Sequence, residues 1–317
     1  MYHIGIDLGG TNIAAAVVDD NFKITGKSNL KTNTPRPSEE IIDDMARIVK
    51  IAAQKADISL DEIDVVGVGC PGSVNPKTGI IGAANNLGFY DLPLKKMLED
   101  RLKLPVLIEN DANTAAYGEM IAGAGKGTQN FLAITLGTGV GGGVIIDGKI
   151  FSGFNFAGAE LGHTVIEMDG ETCTCGRKGC FEAYASATAL IRQTKRKMLE
   201  HKDSVMWELT NGDISAVSGR TAFDAMRKDD TYGKEVVDKY IEYIACGVTN
   251  MINIFQPEIL CIGGGISHEG ETLIAPIRDY VNRQSFTRNL KEQTTIRTAE
   301  LGNDAGIIGA AMLGKLS

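Results

Sequence analysis

The densest metal-binding chemistry in this chain lies in His163, Cys173, Cys175 and Cys180, which fall within 18 residues of one another, with Gly176 and Gly179 between the last two cysteines. Three thiolates and an imidazole are a soft, tetrahedral donor set suited to Zn2+, and the glycines let the chain turn tightly around an ion. Four protein ligands make such a site closed and structural, because a catalytic zinc keeps one position open for water or substrate. The competing reading is a group of unrelated thiols. Cys70, Cys246 and Cys261 are of that kind: each sits in apolar surroundings and reads as an inert core thiol in a reducing compartment.

Two other segments carry phosphate chemistry and look like copies of one plan. Residues 4–19 and 133–147 each run as an apolar, β-branched stretch, a glycine cluster and a second such stretch. The clusters are Gly9-Gly10-Thr11-Asn12 and Gly137-Thr138-Gly139-Val140-Gly141-Gly142. Glycine has no Cβ to block a phosphate and tolerates positive φ, so backbone amides at such a tip can approach the anion, and Thr11 adds a hydroxyl donor. One glycine turn alone is equally well a tight hairpin. Two matched loops in one chain favour a pair that grips a nucleotide's phosphates from both sides.

The second loop also fits the G-x-G-x-x-G pattern of dinucleotide-binding folds and protein-kinase lids. A dinucleotide motif needs a helix after the glycines, whereas Val144-Ile145-Ile146 reads as a strand. The His-Arg-Asp and Asp-Phe-Gly partners of a protein kinase are missing, and Gly125-Lys126 is followed by Gly127 rather than the Ser or Thr of a P-loop. Asp7, at the end of the first strand, is placed to anchor Mg2+ through water or simply to tie down the turn. Asp111 stands where a strand gives way to a helix. It suits a helix cap, and its position after a strand turns the reading to the catalytic base, whose ionised form the helix N-terminus favours.

The elements that must hold these residues follow from periodicity. The glycine clusters define two hairpins heading two related lobes. Ile41, Ile42, Met45, Ile48, Val49 and Ala52 predict a helix over 38–56, followed by a strand at 65–68. A strand at 105–109 leads to a helix after Asp111. In the second half, a long helix at 236–255, a strand at 259–262, the turn Gly263-Gly264-Gly265, a helix near 270–283, a strand at 295–299 and a helix from Asp304 to about Leu313 complete an alternating, parallel α/β pattern. The stretch 200–235 is polar and weakly patterned and receives no assignment.

The 317 residues, 43% of them hydrophobic, are enough for two cores and therefore a two-lobed α/β protein. The formal charge of −8 leaves no basic field for nucleic acid or anionic lipid. There is no charged leader and no run of about 18 apolar residues, which points to a cytoplasmic protein with no membrane partner.

Taken in order, Asp7-Leu-Gly-Gly-Thr-Asn12, Glu109-Asn-Asp-Ala112, Leu136-Gly-Thr-Gly-Val-Gly-Gly142, Glu160-Leu-Gly-His163 and Cys173-Thr-Cys-Gly-Arg-Lys-Gly-Cys-Phe-Glu182 resemble the motifs of the ROK family of bacterial sugar kinases and repressors over essentially the whole chain. Among its members the chain looks most like the glucokinases. The resemblance implies the actin-like, hexokinase-like ATPase fold with ribonuclease H-like lobes and a structural zinc knot. The expected division is a small lobe at 1–120 completed by the C-terminal helix 304–317, and a large lobe at 121–303 carrying the knot at 163–180.

By position, the resemblance implies ATP and sugar in the cleft, Asn110 and Asp111 at the sugar's 6-hydroxyl, and Glu160, His163 and Glu182 on hydroxyls across the ring. Asn86 in Asn85-Asn86-Leu87-Gly88-Phe89 matches a further sugar contact, with the doubled asparagine leaving the alignment open by one. The nucleotide site is assigned to Asp7, Gly9, Gly10, Thr11, Asn12, Gly137, Thr138 and Gly139, with Gly263, Gly264 and Gly265 supporting adenosine. The expected function is ATP-dependent phosphorylation of glucose, with Mg2+ accompanying ATP and Zn2+ held by His163, Cys173, Cys175 and Cys180. Zinc on one His163 nitrogen would leave the other for a sugar hydroxyl and fix the ring's tautomer.

The rivals are kinases for fructose, N-acetylmannosamine, N-acetylglucosamine or allose, and a non-catalytic sugar sensor. The repressors place a DNA-binding domain ahead of the first hairpin, which here begins at residue 4. A homodimer or homotetramer is what the resemblance implies for assembly.

Overall fold

The computed structural model describes residues 1–316. The chain divides into two compact units: Met1–Ala133, Gly143–Ala159 and Ala299–Ser317 form the first, and Ile134–Gly142 with Glu160–Thr298 the second.

In chain order the strands and helices are β1 (Tyr2–Leu8), β2 (Asn12–Asp19), β3 (Ile24–Lys31), α1 (Ser38–Lys55), β4 (Ile63–Cys70), β5 (Ser73–Asn75), β6 (Ile80–Ala84), β7 (Phe89–Leu92), α2 (Leu94–Leu102), β8 (Val106–Asn110) and α3 (Asp111–Ala122). They continue as β9 (Phe131–Leu136), β10 (Val140–Ile146), β11 (Lys149–Ile150), α4 (Glu182–Ala185), α5 (Ala187–Glu200), α6 (Val205–Leu209), α7 (Thr221–Met226), α8 (Thr231–Phe255), β12 (Ile259–Gly263), α9 (Glu271–Gln284), β13 (Thr295–Thr298) and α10 (Ala305–Ala311).

One five-stranded sheet has the order β3-β2-β1-β4-β8, and a second has β11-β10-β9-β12-β13. The two orders are the same plan: an antiparallel meander of three strands, then two strands reached by crossovers. The repeat expected from the matched glycine segments is therefore a repeat of topology. In the first sheet β1 pairs antiparallel with β2 and parallel with β4, which in turn runs parallel to β8. A small antiparallel sheet, β5-β6-β7, is inserted between β4 and α2.

Alternation along the strands decides which residues reach the site. On β1, Ile4, Ile6 and Leu8 are fully buried in one core with Ile41, Ile42, Met45, Ile48 and Val49 of α1. Glu39 and Glu40 in the first turn of α1 and Lys55 in its last complement the helix dipole. The alternate residues of β1, Gly5 and Asp7, face α10. A Cβ on Gly5 would lie 1.8 Å from the carbonyl oxygen of Ile307, and one on Gly67 of β4 would lie 1.8 Å from that of Ala310. A Cβ on Gly309 of α10 would meet the Thr114 carbonyl of α3 at 1.8 Å, and one on Gly69 would meet the Thr114 hydroxyl at 2.5 Å. Glycines thus bring α3 and α10 into backbone contact with each other and with β1 and β4.

In the second unit, α8 is the spine on which α4, α5, α7 and α9 pack. The polar stretch 200–235, unassigned from sequence, forms the two short helices α6 and α7. It is pinned by Asp230, which caps α8 by accepting from the Gly233 amide at 2.6 Å and also accepts from the Val205 amide at 2.8 Å.

Gly67→Ala is expected to lower unfolding free energy by about 3 kcal/mol, because the added methyl meets fixed backbone rather than a yielding side chain. Denaturant unfolding checks this; an unchanged midpoint would mean that α10 is free to retreat from the sheet.

Candidate active site

The first glycine turn is held from below through its carbonyls. The Gly9 amide donates to the Asn12 carbonyl at 2.9 Å. The Thr32 hydroxyl donates to the Gly9 carbonyl at 2.6 Å, the Thr34 hydroxyl to Gly10 at 3.1 Å, and the Thr32 amide to Thr11 at 2.8 Å. Asn86 is the member of the doubled asparagine next to this turn, since a Cβ on Gly10 would lie 3.3 Å from its Nδ2. Asn85 is occupied instead by the Tyr90 hydroxyl at 3.1 Å.

At the β8–α3 junction the cap is Asn110, not Asp111. Asn110 is extended (φ −63°, ψ 145°), and its Oδ1 accepts from the Ala112 and Asn113 amides at 2.9 and 3.2 Å. Its Nδ2 donates to the Gly72 carbonyl at 3.1 Å. Asp111 is the first residue of α3, and its Oδ1 accepts from the Ala112 amide at 2.9 Å. The division of labour is physical: the cap must be outside helical geometry, so the residue before the helix takes it and the carboxylate is relieved of that duty.

Burial raises the pKa of Asp111 above the usual carboxylate range, against the pull of nearby backbone amides. Asp7 is pushed up to about 6, first by burial and then by the negative charge of Asp111, with Lys27 opposing. Gly306 of α10 stands against Asp7, where a Cβ would lie 3.4 Å from its Cγ. Asp7, the first glycine turn, Asn86, Asn110 and Asp111 thus belong to one unit, in which Asp7 senses the charge of Asp111.

The second unit assembles the other candidates. In the turn Gly137–Gly139 the Gly137 amide donates to the Gly139 carbonyl at 3.0 Å. The turn is tied to the start of α5 by the Ala187 amide on the Gly137 carbonyl and the Thr188 hydroxyl on the Thr138 carbonyl, both 2.8 Å. Of the three glycines after β12, Gly264 has φ +85°, and a Cβ there would lie 2.4 Å from the Leu136 carbonyl oxygen. The Gly263–Gly265 turn is thereby seated against the strand that feeds the Gly137 turn.

His163, Cys173, Cys175 and Cys180 place one ligand atom each within 4.8 Å of all the others. Cys173 Sγ lies 3.7 Å from His163 Nδ1, and Cys175 Sγ lies 3.7 Å from Cys180 Sγ. Tetrahedral coordination with zinc–sulfur bonds of about 2.3 Å separates two sulfurs by about 3.8 Å, so these two spacings are compatible with zinc. Gly176 and Gly179 adopt positive φ, and a Cβ on Gly179 would strike the Glu167 carbonyl at 1.8 Å, which is why the loop needs glycine there.

Glu182 joins the cysteine loop to the glycine turn: its Oε1 accepts from the Thr174 hydroxyl at 3.0 Å and its Oε2 from the Val140 amide at 3.0 Å. A Cβ on Gly139 would collide with Oε2 at 2.4 Å. Glu160 is exposed, and its carbonyl accepts from the His163 amide at 3.1 Å across the short 3-10 turn Leu161–His163. Sequence reasoning passed over Thr32, Thr34 and Glu109. The threonines lie more than 20 residues from the turn they support, and no local pattern marks them.

Asp7 carries a pH signature. Its folded pKa of about 6 exceeds the ordinary value of 3.8, so its contribution to stability is fully present below pH 4 and lost as pH rises through about 6. Asp7→Asn removes that loss. The stability difference between variant and parent is expected to grow by about 2–3 kcal/mol between pH 4 and pH 8; a pH-independent difference in denaturant titrations would restore Asp7 to the ordinary range.

Comparison with known proteins agrees with this geometry. The ROK family model matches residues 3–316. A protein of Halalkalibacterium halodurans named glucokinase is 38% identical over 99% of this chain and 95% of its own length, and one of Thermotoga maritima is 37% identical over 98% and 96%. The crystal structure of a ROK family glucokinase from Streptomyces griseus in complex with glucose and AMPPNP superposes with a TM-score of 0.82 at 35% identity, covering 99% of both chains. The two repeated sheets, the glycine turns and the Cys3His loop therefore stand in the actin-like sugar-kinase fold, and the chain belongs to the ROK family.

Proposed function

We propose that this protein transfers the γ-phosphate of ATP to the 6-hydroxyl of glucose, with Asp111 as the base. The observation that carries the reading is the state of Asp111: a carboxylate freed from capping by Asn110, half-buried at a helix N-terminus, with raised proton affinity. That is the electrostatic setting a general base needs near neutral pH. The relatives named glucokinase, and the Streptomyces griseus protein bound to glucose and AMPPNP, support the donor and the acceptor.

In this reading the Gly9–Asn12 and Gly137–Gly139 turns hold the phosphates of ATP. The engagement of the Gly9, Gly10 and Thr11 carbonyls supports that role, since those oxygens would otherwise repel the anion. The Gly263–Gly265 turn supports adenosine. Asn86, Asn110, Glu160, His163 and Glu182 bind sugar hydroxyls, and Asp111 takes the 6-hydroxyl proton as that oxygen attacks the γ-phosphorus. Phosphoryl transfer is catalysed mostly by positioning and charge neutralisation, so fixed loops matter more than covalent chemistry.

Asp7 would hold Mg2+ through water. A cation there would offset the charge that burial, and then Asp111, make costly on Asp7, and Mg2+ when bound would neutralise phosphate charge. Zinc would be held by His163, Cys173, Cys175 and Cys180, with a structural role: keeping the loop that ends at Glu182 in register with the Val140 amide.

A coupled ATP-consumption assay over glucose, mannose, fructose, N-acetylglucosamine and N-acetylmannosamine is expected to favour glucose, with Asp111→Asn reducing turnover by about 10²- to 10⁴-fold while the fold persists. Near-parental turnover in Asp111→Asn would remove it from the role, and preference for another sugar would replace glucose. Metal analysis is expected to find about one zinc per chain, lost in Cys175→Ser together with sugar affinity; a zinc-free parent protein would end the structural-zinc assignment.

A further inference from the structure

Beside Asp111 lies a buried carboxylate to which the proposed chemistry gives no task. Glu109, near the end of β8, is only 6% exposed. Its Oε1 accepts from the Asn110 amide at 2.8 Å and from Asn113 Nδ2 at 3.0 Å. The two donors come from the β8–α3 junction and the first turn of α3. Burial raises its pKa while these bonds lower it, leaving it raised overall. An apolar side chain would fill the position without the cost of burying an ionisable group, so packing alone does not account for a glutamate here.

We infer that Glu109 is a positioning residue for the base. Asp111 has its own carboxylate tied to the Ala112 amide, so the direction of that carboxylate follows from how the Asn110–Asp111 peptide and the first turn of α3 are set. Glu109 fixes both: the Asn110 amide from one side, Asn113 from the other. The Gly72 carbonyl holds the Asn110 side chain, which completes the frame. The inference rests on the reading of Asp111 as the base.

The test is steady-state kinetics on the full chain with Glu109→Gln, Asp111→Asn, the double variant and Asn113→Ala, alone and in the Asp111→Asn background, with unfolding curves confirming the folded state of each. Glu109→Gln is expected to lower kcat about ten- to a hundredfold with the KM for ATP within about twofold, the signature of a misaimed group rather than a damaged nucleotide site. In the Asp111→Asn background the same substitution is expected to cost no further turnover, because no base remains to be aimed. Asn113→Ala, which keeps the carboxylate but removes one of its two donors, is expected to lose about three- to tenfold in kcat and likewise nothing in the Asp111→Asn background; it carries the test if Glu109→Gln does not fold.

Losses that multiply in the double variants, or a parental kcat in the folded single variants, would overturn the positioning role while leaving Asp111 as the base. A parent protein without sugar-dependent turnover, or a fully active Asp111→Asn, would instead overturn the reading on which it rests.

Discussion

The first unit depends on one steric constraint: helices α3 and α10 touch each other and the β1 and β4 strands at backbone distance. That approach is available only because Gly5, Gly67, Gly69, Gly118 and Gly309 carry no Cβ where one would meet neighbouring atoms, mostly backbone carbonyls. Its electrostatic consequence reaches the site directly. Asp7 projects from β1 toward Gly306, and Asp111 begins the helix that Gly69 admits, so both acids stand in a tightly packed, poorly solvated layer. Larger residues at these glycines would push the helices outward, let water reach the acids and return them to ordinary carboxylate behaviour. The packing and the acid–base chemistry are one design.

The second unit solves a different problem, that of holding a long irregular segment still. Between Glu160 and α5 there is little regular structure, and order comes from short β-bridges at Val165–Cys180 and Thr172–Lys178, the positive-φ glycines, and the four ligand residues. Glu182 then converts that local order into placement of the glycine turn, one oxygen on Thr174 and the other on Val140. The same carboxylate was expected to bind sugar hydroxyls. Its structural bonds and that role are compatible, since a carboxylate has about four acceptor sites and these bonds use two.

How much of this was legible in the sequence depends on the range of the interaction. The hairpins, α1, α8, α9 and the parallel strands announce themselves because their burial pattern is periodic over neighbouring residues, and the Cys3His loop because its ligands are close in sequence. The cap at Asn110 was missed because Asn and Asp are nearly equivalent caps, and only the backbone angles of adjacent residues separate them. The small β5-β6-β7 sheet went unread, its strands being three to five residues long and broken by turns. Helices α6 and α7 went unread because, at five and six residues, they are too short to display an apolar period. Glu109 was quoted within a motif, yet its bonds to the Asn110 amide and to Asn113 exist only once the strand β8 turns into α3.

The central claim is chemical: a phosphoryl group passes to a specific hydroxyl. The direct measurement is phosphorus–proton correlation NMR of the product formed from ATP and glucose by the purified protein. The account predicts a phosphate ester coupled to the protons on carbon 6, with ADP in equal amount. A product esterified at carbon 1, or ADP accompanied only by inorganic phosphate, would contradict it, because neither outcome is delivered by a base aimed at the 6-hydroxyl.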